Sequence, residues 1–254
     1  MVGGSQQTLA GDIASAIAWW REAGVDCAFV DEPNAWIAPP ETIAPAAEAG
    51  SPAMPAAFVA PPPPPRARIG GAADLWPRDL AAFQAWWMEE PSLDGGQVSR
   101  RVAPRGKAGA ALMILVEQCE AQDEDRLLSG PQGDFLRSML SAMNVREDEV
   151  YFAAALTRHT PLPDWQALHA DGLGDLTLHH VQLAAPERLM VFGGSIPSLL
   201  GHDPTQSAQS LRALNHEGRT IPVLAAHGLD ALARPSAKAA LWQRWLDWTG
   251  KTVS

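Results

Sequence analysis

Ala110-Ala111-Leu112-Met113-Ile114-Leu115-Val116 is a continuous apolar run bounded by polar sequence. A short run without alternation reads as a strand buried on both faces, the kind found inside a parallel sheet. The turn after it is acidic, Glu117-Gln118-Cys119-Glu120-Ala121-Gln122-Asp123-Glu124-Asp125-Arg126. Gly130, Pro131 and Gly133 then introduce an amphipathic helix running through Leu140. In an open α/β sheet ligands sit beyond the carboxyl ends of the strands, so this turn is expected to face any site the fold carries.

Toward the C-terminus the pattern repeats. Val150–Leu156, Arg188–Phe192 and Ile221–Ala226 read as further buried strands, the third strand ending in Gly193-Gly194 and the fourth in His227-Gly228. Between and after them, 175–183, 196–200 and 235–248 read as helices, the last with Leu241, Trp242, Trp245 and Trp248 as an apolar stripe. Strands alternating with helices predict an α/β fold of three layers, α/β/α, around a central four-stranded parallel sheet with its core in 109–254.

Toward the N-terminus, 79–88 reads as a helix with Leu80, Phe83, Trp86 and Trp87 as its apolar positions. The loop after it gathers Arg100, Arg101, Arg105 and Lys107, a cluster that suits either a solvated loop or a phosphate contact. Residues 39–73 are rich in Pro and Ala, and Pro61–Pro65 favour extended polyproline II, so this stretch reads as a linker. It joins an N-terminal helical segment, 1–38, whose helix is expected over 8–23, to the main domain, 74–254.

At 254 residues with 46% hydrophobic content, the chain can bury a sizeable core. No apolar run approaches the roughly 20 residues a membrane span needs, so no membrane association is expected. Met1-Val2-Gly3-Gly4-Ser5 shows no basic region followed by an apolar core, which makes the cytoplasm the expected location. The net charge of −10 opposes approach to nucleic acid, so any DNA contact must be local and weak, through Arg100, Arg101, Arg105 and Lys107. Cys27 and Cys119 are the only cysteines and form no CxxC, so no cluster held by four thiolates can be assembled within the chain. No cofactor is expected.

Several segments together resemble the uracil-DNA glycosylase superfamily, in its iron–sulfur-containing bacterial branch. They are Leu112–Val116 with Asp123–Arg126 behind it, Gly133 with Leu136–Leu140, Arg146–Tyr151, Glu187–Gly194, Ile221–His227, and Leu232–Pro235 with Lys238 and Trp242. The resemblance covers roughly 110–250. It implies a protein that holds a uracil flipped from DNA while the glycosidic bond breaks. It also implies cluster cysteines between the second helix and the first strand and again after the second strand, and this chain has none there.

Measured against that pattern, most of the implied site is replaced. Where the branch ends its first strand Gly-Glu-Ala-Pro-Gly, this sequence reads Glu117-Gln118-Cys119-Glu120-Ala121. Gln118 stands at the acidic position, where an amide can orient water but cannot act as a base. The stacking aromatic is absent from Leu127–Gly130, and the base-reading Asn falls at about Ala154. His227 survives, either as a catalytic donor or as a scaffold residue. The candidate site is therefore Gln118 and His227 as catalytic residues, with Gly193, Gly194, Arg100 and Arg101 against the substrate and no metal.

Three functions follow as expectations. The first is a catalytically degenerate, glycosylase-like binding or interaction module linked to DNA repair, with DNA or a protein as its partner. The second is a divergent DNA glycosylase using Gln118 and His227. The third is a small-molecule or metal-dependent enzyme built on the acidic turn, whose carboxylates suit Mg²⁺ or Ca²⁺.

Overall fold

The computed structural model describes residues 9–22, 67–203, 205–207, 211–216 and 218–250. Residues 39–66 of the expected linker, and Cys27, lie outside the described residues. The chain divides into two compact units, Met1–Ala60 and Pro61–Ser254. In the first, α1 (Leu9–Glu22) matches the helix expected over 8–23, and Trp19 and Trp20 pack edge to face with centroids 4.9 Å apart.

The second unit runs α2 (Leu80–Glu89), β1 (Leu112–Val116), α3 (Pro131–Ala142), β2 (Val150–Ala154), α4 (Trp165–Ala170) and α5 (Leu173–Ala184). It continues with β3 (Leu189–Phe192), α6 (Ile196–Leu199), β4 (Ala213–His216), β5 (Arg219–Ala226) and α7 (Pro235–Thr249). The body starts earlier than residue 74, because Ile69 is buried and its N–H donates to Asp171 O at 2.8 Å.

The sheet has five strands in the order β2-β1-β3-β5-β4. β1 pairs parallel with β2 and β3, and β3 pairs parallel with β5, giving the expected four parallel strands. The fifth, β4, is an antiparallel edge strand hydrogen-bonded to β5 from Ala213↔Pro222 to His216↔Arg219. Its four residues pair Ala213 and Leu214 with the polar Asn215 and His216, and so short a segment gives little period to read. Pro222 has no N–H to donate, and it sits beside this edge rather than in the sheet's centre.

Alternate residues of each strand feed opposite faces, so continuous apolar runs make two cores. Leu112, Ile114, Val116, Phe152, Phe192 and Leu224 meet α3 and α7 on one face. Met113, Leu115, Tyr151, Val191 and Val223 meet Val181 and Ala184 of α5 on the other. A third cluster joins Phe83 and Trp87 of α2 to Leu173 and Leu176 of α5. Burying all five residues of β1 and of β2 explains why neither shows polar alternation.

On α7 the expected stripe is only partly right. Leu241, Trp245 and Leu246 are buried, whereas Trp242 is 37% exposed and Trp248 is half-buried under Arg188. At about 100° per residue, 241, 245 and 248 share a face and 242 turns off it. The adjacent histidines also separate. His180 is buried among Phe83, Trp87 and Tyr151, and the Tyr151 hydroxyl lies 2.8 Å from its Nε2. Burial, with a smaller push from His179, holds His180 down at about 3, so the ring is neutral.

Candidate functional site

The chain order reverses between β1 and β3. β2 follows β1 on one side, and the chain then crosses back to place β3 on the other. That is the point where an open parallel sheet offers a crevice beyond its strand ends. Here a cleft of about 510 Å³ is lined by Val116, Glu117, Gln118, Glu120, His159 and Phe192, among others.

The first residue past β1 lies at the switch point itself. Glu117 reaches across to the turn after β3, where its Oε1 accepts the Ser195 N–H at 2.8 Å. Gly193 lies directly against this side chain: a Cβ built on it would come 2.3 Å from Glu117 Cδ, and its φ is +133°. Both facts demand glycine. Gly193 is thus buried against the protein's own carboxylate, while its neighbour Gly194 is exposed.

Other polar groups of the acidic turn are also engaged. Gln118 Oε1 accepts the Thr160 N–H at 2.8 Å, and His159 Nδ1 lies 3.3 Å from Cys119 O. The Glu120 carboxylate accepts N–H groups of Gly130 (3.0 Å), Gln132 (2.8 Å) and Gly133 (3.1 Å), capping α3 at its positive end. Asp123 accepts from the N–H groups of Glu120, Leu128 and Ser129 and from the Ser129 hydroxyl. Burial, then the charge of Asp123, pushes the Cys119 thiol up to about 11, so it is a poor nucleophile near neutral pH. Among the described residues no group of three or more His, Cys, Asp or Glu side chains is placed to hold a metal ion.

His227 follows β5, is exposed, and lines a separate recess of about 310 Å³ with Arg234 and Arg244. Gln118 follows β1. Since β3 lies between β1 and β5, the two are separated by two strand spacings, roughly 10 Å at the backbone. The structure therefore places both at strand ends without bringing them to one point.

The basic loop is not one patch. Arg101 is buried, its guanidinium holding both carboxylate oxygens of Asp94 at 3.1 and 2.7 Å and donating to Trp87 O and Glu90 O. Arg105 lies over the Phe152 ring, 3.8 Å from its centroid, and pairs with Glu147 at 2.9 Å. Arg100 is exposed and donates to Ala121 O at 3.2 Å, and Lys107 is exposed. Arg101 thus belongs to the scaffold, correcting its placement against a substrate: Asp94 supplies a bidentate partner that nothing in the local sequence spacing signals.

A larger cavity, about 790 Å³, lies behind this loop, between the Glu90–Gly96 segment after α2 and the Ala155–Thr160 segment after β2. These are the two segments where the resemblance implies cluster ligands. The residues present do not fit such a group: the wall carries Glu90, Ser92, Asp94, Thr157 and Arg158, and no thiol among the described residues. Sequence reading passed over Arg158 and His159, although a polar tract, Thr157-Arg158-His159-Thr160, directly after a buried strand is a signal for the strand-end edge.

What the fold and site define is a three-layer α/β/α protein whose strand-end cleft is lined by polar side chains bonded to its own backbone. No family model matches the chain, and no curated protein matches it. Among the described residues no helix is long and apolar enough to cross a membrane.

Proposed function

We propose that this protein is a uracil-DNA glycosylase-like binding module that has lost base excision and serves an interaction role in DNA repair. The observation that carries this reading is Glu117, whose carboxylate lies between the ends of β1 and β3 and is held there by Ser195 N–H. A base approaching Gly193 would have to displace a carboxylate bonded to backbone. Ala154, at the position implied to read uracil, offers no side-chain donor or acceptor, and Gln118 Oε1 already accepts Thr160 N–H. Electrostatic stabilisation at the reacting centre is usually the largest catalytic contribution, with one donor worth about 10²–10³ in rate. Losing the reader, the stacking ring and the acidic group together leaves little above background.

DNA contact on this reading is weak and salt-sensitive, because Arg101 is committed to Asp94 and Arg105 to Glu147 and Phe152. The alternative is a divergent glycosylase, favoured by one observation: exposed His227 shares its recess with Arg234 and Arg244, a setting that suits a departing anion. A glycosylase assay on single- and double-stranded uracil-containing DNA separates the two. The binding module gives no product above buffer with either substrate. Product that disappears in His227→Ala establishes the alternative.

A further inference from the structure

We infer that Leu162 is a knob that enters the cavity between α2 and the segment after β2 on a second copy of this chain, making a symmetric dimer. This inference does not depend on what the strand-end cleft does.

Leu162 is 98% exposed, the highest value among the exposed large hydrophobic residues described. A lone exposed leucine is ordinary. Its backbone here is not. Leu162 has a φ of +48°, a left-handed conformation that side chains avoid, and Pro161 and Pro163 lock φ on either side. The tip is also anchored at both ends. The Thr160 N–H donates to Gln118 Oε1 at 2.8 Å, and Asp164 Oδ1 accepts the Ala167 N–H at 3.0 Å, capping α4. A braced, strained turn that holds an apolar side chain out in water adds nothing to this chain's own packing, and strain of that kind points to a role in contact with a partner.

The same surface carries the matching hole. The tip leaves the cavity wall at Thr160 and rejoins it at Leu168 of α4, so Leu162 stands at the rim. The cavity, about 790 Å³, has room for a leucine, and Ile69, Trp87, Leu173 and Leu176 give it an apolar wall. A knob beside a hole is self-complementary. A two-fold axis between them sends each Leu162 into the cavity of the other copy.

Charge favours this occupant. Thr160-Pro161-Leu162-Pro163 is uncharged, and the cavity wall carries Glu90 and Asp94, so the tip enters where an acidic segment would be repelled. Two tips with their mouths bury about 1,000 Å², the low end for a specific interface. The net charge of −10 on each copy opposes association further. Both make the dimer weak, with a Kd on the order of 10 μM.

The test is sedimentation equilibrium of the full chain from about 1 to about 300 μM. The wild type should pass from monomer to dimer across that range. Leu162→Asp changes a fully exposed side chain, so the fold stands, and it should weaken dimerisation about a hundredfold or more, since both buried leucines are lost. Ala67→Trp, from the exposed rim, and Leu168→Trp, from α4, should each do the same by filling the cavity, and the first remains decisive if the second fails to fold. Trp20→Ser, at an exposed position of α1, should leave the dimer unchanged. A chain that stays monomeric at the top of the range overturns the inference. So does a dimer indifferent to Leu162→Asp or to Ala67→Trp, or one lost with Trp20→Ser.

Discussion

The strand-end crevice and the cavity behind the basic loop both carry carboxylates, yet their polar groups are satisfied in different ways. In the crevice each acidic-turn carboxylate described above closes on backbone: Glu117 on Ser195, Glu120 on the first turn of α3, Asp123 on Leu128 and Ser129. In the cavity one buried pair, Asp94 and Arg101, is complete, and the neighbouring Arg158 Nε is left without a hydrogen bond. The first arrangement ties the turn's carboxylates to the protein's own backbone. The second leaves one buried nitrogen with only an ionic contact, to Asp94 at 3.5 Å.

The largest effect that sharpens this contrast is expected at Asp94. Arg101 has a fully buried side chain, and Asp94→Ala strands its charge. Breaking one side of a buried pair costs about 3–5 kcal/mol. Denaturant unfolding of Asp94→Ala should show a loss of that order. A loss below about 1 kcal/mol, the range of exposed pairs, would mean that the pair is solvated.

Next comes the crevice. Gly193→Ala forces a Cβ against Glu117 at a φ that side chains avoid, and overpacking of this kind costs about 1–3 kcal/mol. Glu117→Ala in the same chain should recover part of that cost and leave the part due to backbone strain. Unfolding measured over the four-member cycle should therefore show a favourable coupling. Strict additivity would mean that Glu117 does not occupy the crevice.

A smaller and more gradual effect comes from His180, in the packing beside the cavity's Trp87. Its folded-state pKa is depressed to about 3 by burial, below the ordinary 6.5. As pH falls through 6.5 the unfolded chain takes up a proton that the native ring refuses, so stability declines from there toward 3. The slope contributed by one such proton is about 1.4 kcal/mol per pH unit. Unfolding curves at pH 7 and pH 5 should show the decline in the wild type and a shallower one in His180→Phe.

Much of this architecture was legible in the chain. The four parallel strands announce themselves because strands buried on both faces must be apolar throughout, as Leu112–Val116 and Val150–Tyr151-Phe152-Ala153-Ala154 are. β4 was not legible, since an edge strand of four residues carries too little pattern to separate from a loop. In the site, the strand-end positions of Gln118 and Ala154 could be read from the sequence. The contacts made around them could not. That Glu117 spans two strands, that Arg101 turns inward to Asp94, and that Glu120 caps α3 are contacts between residues 7 to 78 positions apart. Such contacts are fixed by the fold rather than by local spacing. The basic cluster illustrates the difference, because four cations close in sequence went to separate fates once packing was set.

The central claim is that the strand-end crevice is closed to a base. It is tested most directly by single-turnover excision, with protein in excess over a uracil-containing single strand, comparing the wild type with His227→Ala. The account predicts that neither releases uracil faster than buffer alone. Release by the wild type that falls in His227→Ala would contradict it, because a base would then have been held and cleaved at the strand ends despite the Glu117 carboxylate.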